Sequence, residues 1–129
     1  MSTFVRFRTP NGEYAVAVEH AREVCDASGV LPLPAARPGV AGLLRRGDDS
    51  LTVLSVLSPG GNHVLVLDPG EKMFGILVDE VTGVANIDDQ AIGPAPDGQQ
   101  DELVAGVIST PGGLVLLLDA AATARRLSG

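Results

Sequence analysis

The feature that most constrains this chain is that it repeats. Phe4 to Glu19 (FVRFRTPNGEYAVAVE) lies over Val64 to Asp79 (VLVLDPGEKMFGILVD) without a gap, apolar position on apolar position, an offset of 60 residues (64 − 4). With small slips the correspondence continues: Leu31 to Pro34 (LPLP) falls over Gly93 to Pro96 (GPAP), and Val40-Ala41-Gly42 over Val104-Ala105-Gly106. Each half reads strand, turn, strand, proline-bounded connection, VAG and a last apolar strand. Two copies are too few for a solenoid, whose units bury their faces by serial stacking. A unit of about 60 residues is also marginal alone, because it buries only about 60% of its unfolded surface. The chain is therefore expected to form two similar β-modules, from halves of approximately residues 1–58 and 63–127. They are expected to share a core and exchange strands, with the identity of the crossing strand left open.

Local patterns fill in the elements. Phe4 to Thr9 alternates as a half-buried strand does, and Pro10-Asn11-Gly12 turns it into a second strand, Tyr14 to Val18. The following HAREVC segment reads equally as a helical turn or as more strand, and Gly29 to Pro38, with three prolines, as an extended connection. Val40 to Leu44 and Leu51 to Leu57 are apolar runs on either side of the turn Gly47-Asp48-Asp49-Ser50. Ser58-Pro59-Gly60-Gly61-Asn62 joins the repeats. In the second half, His63 to Leu67 and Met73 to Val78 are expected to pair across Asp68-Pro69-Gly70, with β-branched residues continuing through Val81, Val84 and Ile87. Asp88 is placed to cap a helical turn over Asp89 to Ala91. Gly93 to Glu102 is the most polar loop, and Pro111-Gly112-Gly113 separates the strands Leu103 to Ser109 and Leu114 to Leu118. The tail Asp119 to Leu127 has a capping aspartate, alanines and terminal arginines, the pattern of a short helix.

Composition excludes several functions. A formal charge of −7, a single lysine (Lys72) and two adjacent arginine pairs, Arg45-Arg46 and Arg125-Arg126, leave no basic stripe for a phosphate backbone. Aromatic residues make up 3%, too few for base stacking. No apolar run reaches the roughly 18 residues of a membrane span, and the N-terminus alternates like a strand and has no signal-type block. With a lone Cys25, these features point to the cytoplasm. His20, His63 and Cys25 are too scattered for a metal site. Gly39, Gly42 and Gly47 read as turn glycines, since the lysine and hydroxyl of a phosphate loop are missing. Adjacent acids such as Asp79-Glu80 point to opposite faces of a strand, and neither Ser55 nor Ser109 lies in a nucleophile elbow. The profile is that of a non-enzymatic binding module without a cofactor.

The ordered series EYAVAVEHAREV, LPLP, GVAGLLRRG, LTVLSV, MFGILVDEVTGV, IGPAP, LVAGVI and GLVLLLD resembles the CheW-like family of bacterial chemotaxis adaptors, over Phe4 to Leu127. The resemblance implies an all-β fold of two intertwined five-stranded SH3-like β-barrels with a short C-terminal helix. It further implies a stand-alone adaptor that links chemoreceptor cytoplasmic tips to the regulatory domain of a CheA-type histidine kinase. Kinase domains would meet barrel edges, and receptor tips the groove between barrels. Carried onto this chain, the partner-binding positions are Glu23, Val24, Gly39, Val40, Arg45, Arg46, Gly47, Val81 and Val84.

Two departures stand out. The family's LRG arginine meets Leu44-Arg45-Arg46-Gly47, one residue longer than usual, so Arg46 matches by adjacency to glycine and Arg45 by distance from Gly39; both are candidates, Arg46 first. An ordinary surface ion pair with Glu23, contributing about 0–1 kcal/mol, is the plain alternative to a binding role. The family's PVVDL-like strand appears as Thr52 to Val56 without proline or aspartate, whereas Asp119 survives in the second repeat. That loss leaves local hydrogen bonding open and admits a pathway other than motility, such as pili or development. A small-ligand site in an apolar inter-barrel groove is the reading from another class.

Overall fold

The computed structural model describes residues 1–70, 72–95 and 103–125. Among them the first half supplies β1 (Ser2–Thr9), β2 (Gly12–Ala17), β3 (Ala21–Asp26), β4 (Val30–Leu31), β5 (Val40–Arg46) and β6 (Asp49–Leu54). The second half repeats the order as β7 (His63–Leu67), β8 (Phe74–Val78), β9 (Glu80–Ile87), β10 (Ile92–Gly93), β11 (Val104–Thr110) and β12 (Gly113–Leu118), followed by the helix α1 (Ala120–Arg125). Single 3-10 turns precede β3 (Val18–His20), β4 (Ala27–Gly29) and β10 (Asp89–Ala91).

Strand pairing shows what is exchanged. One sheet runs β3-β7-β8-β6-β5-β4 and the other β10-β11-β12-β2-β1-β9. Each therefore takes its leading hairpin from one repeat and its remaining strands from the other. The exchange is symmetric to the level of register. Antiparallel β3–β7 answers antiparallel β9–β1, and the parallel contact Val53 to Gly75 answers Leu117 to Ala15. Both sheets curl into small barrels. In barrel 1 an ion pair joins Glu23 on β3, at one end of the strand order, to Arg46 on β5 near the other end. In barrel 2, Ile87 and Ile92 from opposite ends pack on one cluster of Phe4, Ala15, Ile108 and Val115.

The exchanged hairpins are buried on both faces. Val64, Val66 and Leu77 point into barrel 1, while Leu65, Leu67, Phe74, Ile76 and Val78 point into a core between the barrels. On the other hairpin, Phe4 and Ala15 fill barrel 2, while Val5, Phe7, Tyr14 and Val16 enter the same central core, where the Phe7 and Tyr14 rings stack at 5.6 Å. That explains why HVLVL and FGILV read as nearly unbroken apolar runs where alternation would mark a one-faced strand.

Most sequence expectations match these elements, with instructive differences. HAREVC is both things at once, since a 3-10 turn ending at His20 leads into β3. The run expected over Leu51 to Leu57 leaves the sheet after Leu54, because Ser55 N donates to Gly39 O (2.7 Å) and the chain turns toward the linker. Asp88 caps its 3-10 turn through Gln90 N, and Asp119 caps α1 through Ala122 N (2.9 Å). The polar loop expected over Gly93 to Glu102 falls mostly outside the described residues, as do Arg126 and Leu127.

Gly42 is a correction. Gly39 and Gly47 do lie in turns with positive φ, but Gly42 lies in β5 at a bulge, where a Cβ would meet Leu31 O at 2.1 Å. Gly106 repeats this at 2.6 Å from Gly93 O. The repeated VAG thus records the close approach of a short strand to a bulge, and carries no turn.

Two outcomes follow. A fragment of residues 1–62 leaves β1–β2 without barrel 2 and barrel 1 without β7–β8, so it should show no cooperative thermal transition, whereas the whole chain melts in one step. Gly42→Ala should cost about 1–3 kcal/mol in denaturant titrations, because its clash is with backbone that cannot step aside.

Candidate functional site

Along β3, Ala21, Glu23 and Cys25 are half-buried and Arg22, Val24 and Asp26 exposed, the alternation of a strand with one face inward. Glu23 therefore sits at the rim of the barrel 1 interior. Strand β5 runs Gly42, Leu44, Arg46 along its inward side, Leu44 buried and Arg46 reaching the same rim. The two rows meet in the Glu23–Arg46 ion pair, whose side chains are 37% and 38% exposed. Cys25 Sγ lies 3.5 Å from Glu23 Oε2, on the core side of the pair. Arg46 and Gly47 also line a shallow cleft of about 350 Å³ with Asp49, Leu51 and Met73. Arg45 projects from the opposite face of β5, is exposed, and makes no ion pair among the described residues. Of the two arginines that spacing left open, geometry joins Arg46 to Glu23.

The remaining candidates fall elsewhere. Gly39 ends the turn before β5 and Val40 begins the strand, about 20 Å from Arg46 at ~3.3 Å per residue; both line a cleft of about 240 Å³ with Arg37, Pro38, Leu54 and Val56. Through Val56 this cleft adjoins a larger one, about 540 Å³, walled by Val56 and Leu57 from the barrel 1 side and by Tyr14, Leu103, Leu114 and Leu116 from barrel 2. The two clefts share Val56 as a wall, and the larger lies between the barrels. Val24 is 45% exposed on the outer face of β3, and Val84 is 66% exposed on β9 of the other barrel. Val81 packs against the central core. The nine positions thus divide among the rim of barrel 1, the outer face of β3 (Val24), the cleft at the start of β5, and β9, where Val84 is exposed and Val81 packs inward. No group of three or more potential metal-ligating side chains converges among the described residues.

One constellation has the residue types of a hydrolase without its geometry. Ser58 Oγ donates to the Asp79 carboxylate at 2.5 Å, and His63 Nδ1 lies 3.0 Å from the Asp79 backbone oxygen. Ser58 is fully buried, and its hydroxyl bonds to the acid, not to the histidine. A nucleophile requires a base in contact with it. Asp79, whose N–H also donates to Arg8 O, instead clamps the inter-repeat linker to β1 and β7.

Loss of the PVVDL aspartate is resolved at the backbone. Ser55 N to Gly39 O (2.7 Å) and Asp119 N to Leu103 O (2.8 Å) are the same bond in the two repeats. What Asp119 adds is the cap of α1.

Exchanged hairpins, paired barrels and a terminal helix are now matched by comparison with known proteins. Residues 3–128 fit the CheW-like domain. The chain belongs to the CheW-like family. It is 24% identical over 127 residues to the chemotaxis protein CheW of Rhizobium meliloti, covering 89% of this chain and 82% of that one. The crystal structure of the scaffolding protein TtCheW from Thermoanaerobacter tengcongensis superposes with a TM-score of 0.82 at 17% identity, over 92% of this chain and 84% of that one. That likeness carries the fold, two SH3-like β-barrels.

In this CheW-like chain Cys25 offers a native reporter of the ion pair. Burial raises its pKa, the hydrogen bond and charge of Glu23 raise it further, and Arg46 lowers it. Alkylation by iodoacetamide at pH 8 should therefore be slower than for free cysteine. Glu23→Gln should speed it and Arg46→Ala should slow it; shifts in the same direction would mean the three groups are not arranged this way. Because the folded-state pKa is raised, the neutral thiol's contribution to stability is fully present below the unfolded value and fades as pH rises above about 9.

Proposed function

We propose that this CheW-like protein is a non-enzymatic adaptor of a chemotaxis-type signalling array, coupling chemoreceptor cytoplasmic tips to the regulatory domain of a CheA-type histidine kinase. The observation that carries the reading is the joining of Glu23 to Arg46 on one barrel rim, at the far end of β5 from an open groove walled by both barrels. A scaffold needs separate surfaces in fixed relation. Here one strand, β5, spans two of them, and the central core holds the barrels that carry them. Family membership, and relatives described as a chemotaxis protein and a scaffolding protein, support the same reading. No helix among the described residues is long and apolar enough to cross a membrane, which fits an adaptor that reaches receptors through their cytoplasmic ends.

A docking pair and a merely decorative one differ in the size of their effect. If the rim pair only decorates the surface, removing it costs the fold a few tenths of a kcal/mol up to about 1 kcal/mol and leaves binding untouched. As a docking element, Arg46→Ala and Glu23→Arg should weaken binding of the kinase regulatory domain or of a receptor cytoplasmic fragment by at least tenfold, about 1.4 kcal/mol, with little change in melting temperature. Arg45→Ala, on the opposite face of the strand, should do neither. Titration calorimetry with both partners from the same genome decides this. Wild-type affinity in the Glu23 and Arg46 variants would reduce the pair to solvated surface, and no binding by the intact protein to either partner would defeat the adaptor reading.

A further inference from the structure

The two repeats end differently after the same backbone bond. Past Asp119 N to Leu103 O the second repeat continues into α1, where Thr123 N donates back to Asp119 O and the helix holds itself together. Past Ser55 N to Gly39 O the first repeat continues through residues 55–62 with neither helix nor strand. This stretch is nonetheless packed in: Leu57 belongs to the central core and Ser58 is fully enclosed. Val56 and Leu57 are also the barrel 1 wall of the 540 Å³ cleft between the barrels. Something other than a strand ladder must keep that wall in place.

Asp79 supplies the hold. It is the single residue between β8 in one sheet and β9 in the other, the point at which the chain passes from barrel 1 to barrel 2. Its polar groups go three ways: the N–H donates to Arg8 O on β1 (2.9 Å), the carbonyl oxygen lies 3.0 Å from His63 Nδ1 on β7, and the carboxylate accepts from Ser58 Oγ (2.5 Å). A close fit presses the linker onto the same spot. A Cβ on Gly61 would meet Val78 O at 2.6 Å and Ser58 Oγ at 2.9 Å, so the linker lies flush on the end of β8 because Gly61 has no side chain. Gly61 N closes the turn on Ser58 O at 3.0 Å.

We infer that Ser58, Gly61 and Asp79 form a latch that holds the barrel 1 wall of the inter-barrel cleft in place, and that releasing it opens the cleft while both barrels stay folded. A segment outside the strand ladders opens at a lower free energy than the strands around it. The side-chain bond that ties this one ends on a carboxylate, the stronger class of hydrogen bond. Leu57 directly precedes Ser58, so a shift of the serine carries the leucine out of the wall. The latch is a motion of the protein itself and stands independently of the adaptor reading.

Tyr14 lines the opposite wall of the cleft, and as the one tyrosine in a chain without tryptophan it reports on the cleft by its own fluorescence. Ser58→Ala should speed amide exchange at Ser55 and Gly61 on the order of tenfold, the scale of one hydrogen bond to a charged group. It should also raise acrylamide quenching of Tyr14 well below the melting transition, with the whole chain still melting in one step. Gly61→Ala should do the same, because the Val78 backbone it meets cannot step aside. Gly60→Ala, whose added Cβ meets nothing within 4 Å, should match the wild type in both readouts. Wild-type exchange and quenching in Ser58→Ala and Gly61→Ala would overturn the inference. So would faster exchange spread equally over β1, β2, β7 and β8, which marks loss of global stability in place of a local opening. Should Ser58→Ala fail to fold, Gly61→Ala carries the same two readouts.

Discussion

The rest of the structure depends on two hairpins that are buried on both faces. In an ordinary small barrel one side of each strand meets the core and the other meets water. Here β1–β2 and β7–β8 turn one face into the barrel they complete and the other into a core shared by both barrels, where Phe7, Tyr14, Phe74, Ile76, Leu65 and Leu67 gather. Neither barrel can be closed without a hairpin from the other repeat, and neither hairpin can leave without exposing two apolar faces. Burial of a large aliphatic or aromatic side chain contributes about 1.5–3 kcal/mol. Opening one hairpin would give up several such terms together. Rigid relation between the barrels follows from this coupling, and with it the fixed spacing of rim and groove that a scaffold requires.

Much of this was legible in the sequence because the repeat was. The gapless match of Phe4–Glu19 to Val64–Asp79 marked the hairpins, and the unbroken apolar runs HVLVL and FGILV reflected their two buried faces. Caps at Asp88 and Asp119 were readable from local chemistry alone. What stayed hidden was tertiary. Which hairpin crosses over is decided by pairing between distant strands, of which a repeat carries no sign. Gly42 looked like a turn glycine because the atom that forbids a side chain, Leu31 O, belongs to another strand. Leu51 to Leu57 looked like one strand because the backbone bond from Ser55 to Gly39 that ends it leaves no trace in side-chain pattern.

The candidate site shows the same division. Sequence spacing left Arg45 and Arg46 both open, and the strand's two-residue period puts only Arg46 on the inward side of β5 that faces Glu23. In barrel 2, Arg6 on β1 forms an ion pair with Glu13 on β2 that went unnoticed, yet a signal for it existed. Laying the repeats over one another puts Arg6 on Val66 and Glu13 on Met73, a charged pair in one copy against an apolar pair in the other. In a fold built from two similar halves, such mismatches mark where the halves differ. Here barrel 1 joins Glu23 to Arg46 between β3 and β5, whereas barrel 2 carries Arg6–Glu13 between β1 and β2 and Arg8–Glu80 between β1 and β9, so the two barrels present different charged surfaces.

Native-state hydrogen exchange tests the central claim, that the exchanged hairpins make the two barrels one cooperative unit. The amides of β1, β2, β7 and β8 are predicted to exchange only through global unfolding, with a common free energy and a common denaturant dependence across both barrels. Two separate sets of free energies, one for the strands of each sheet, would show that the barrels open independently and would contradict the account.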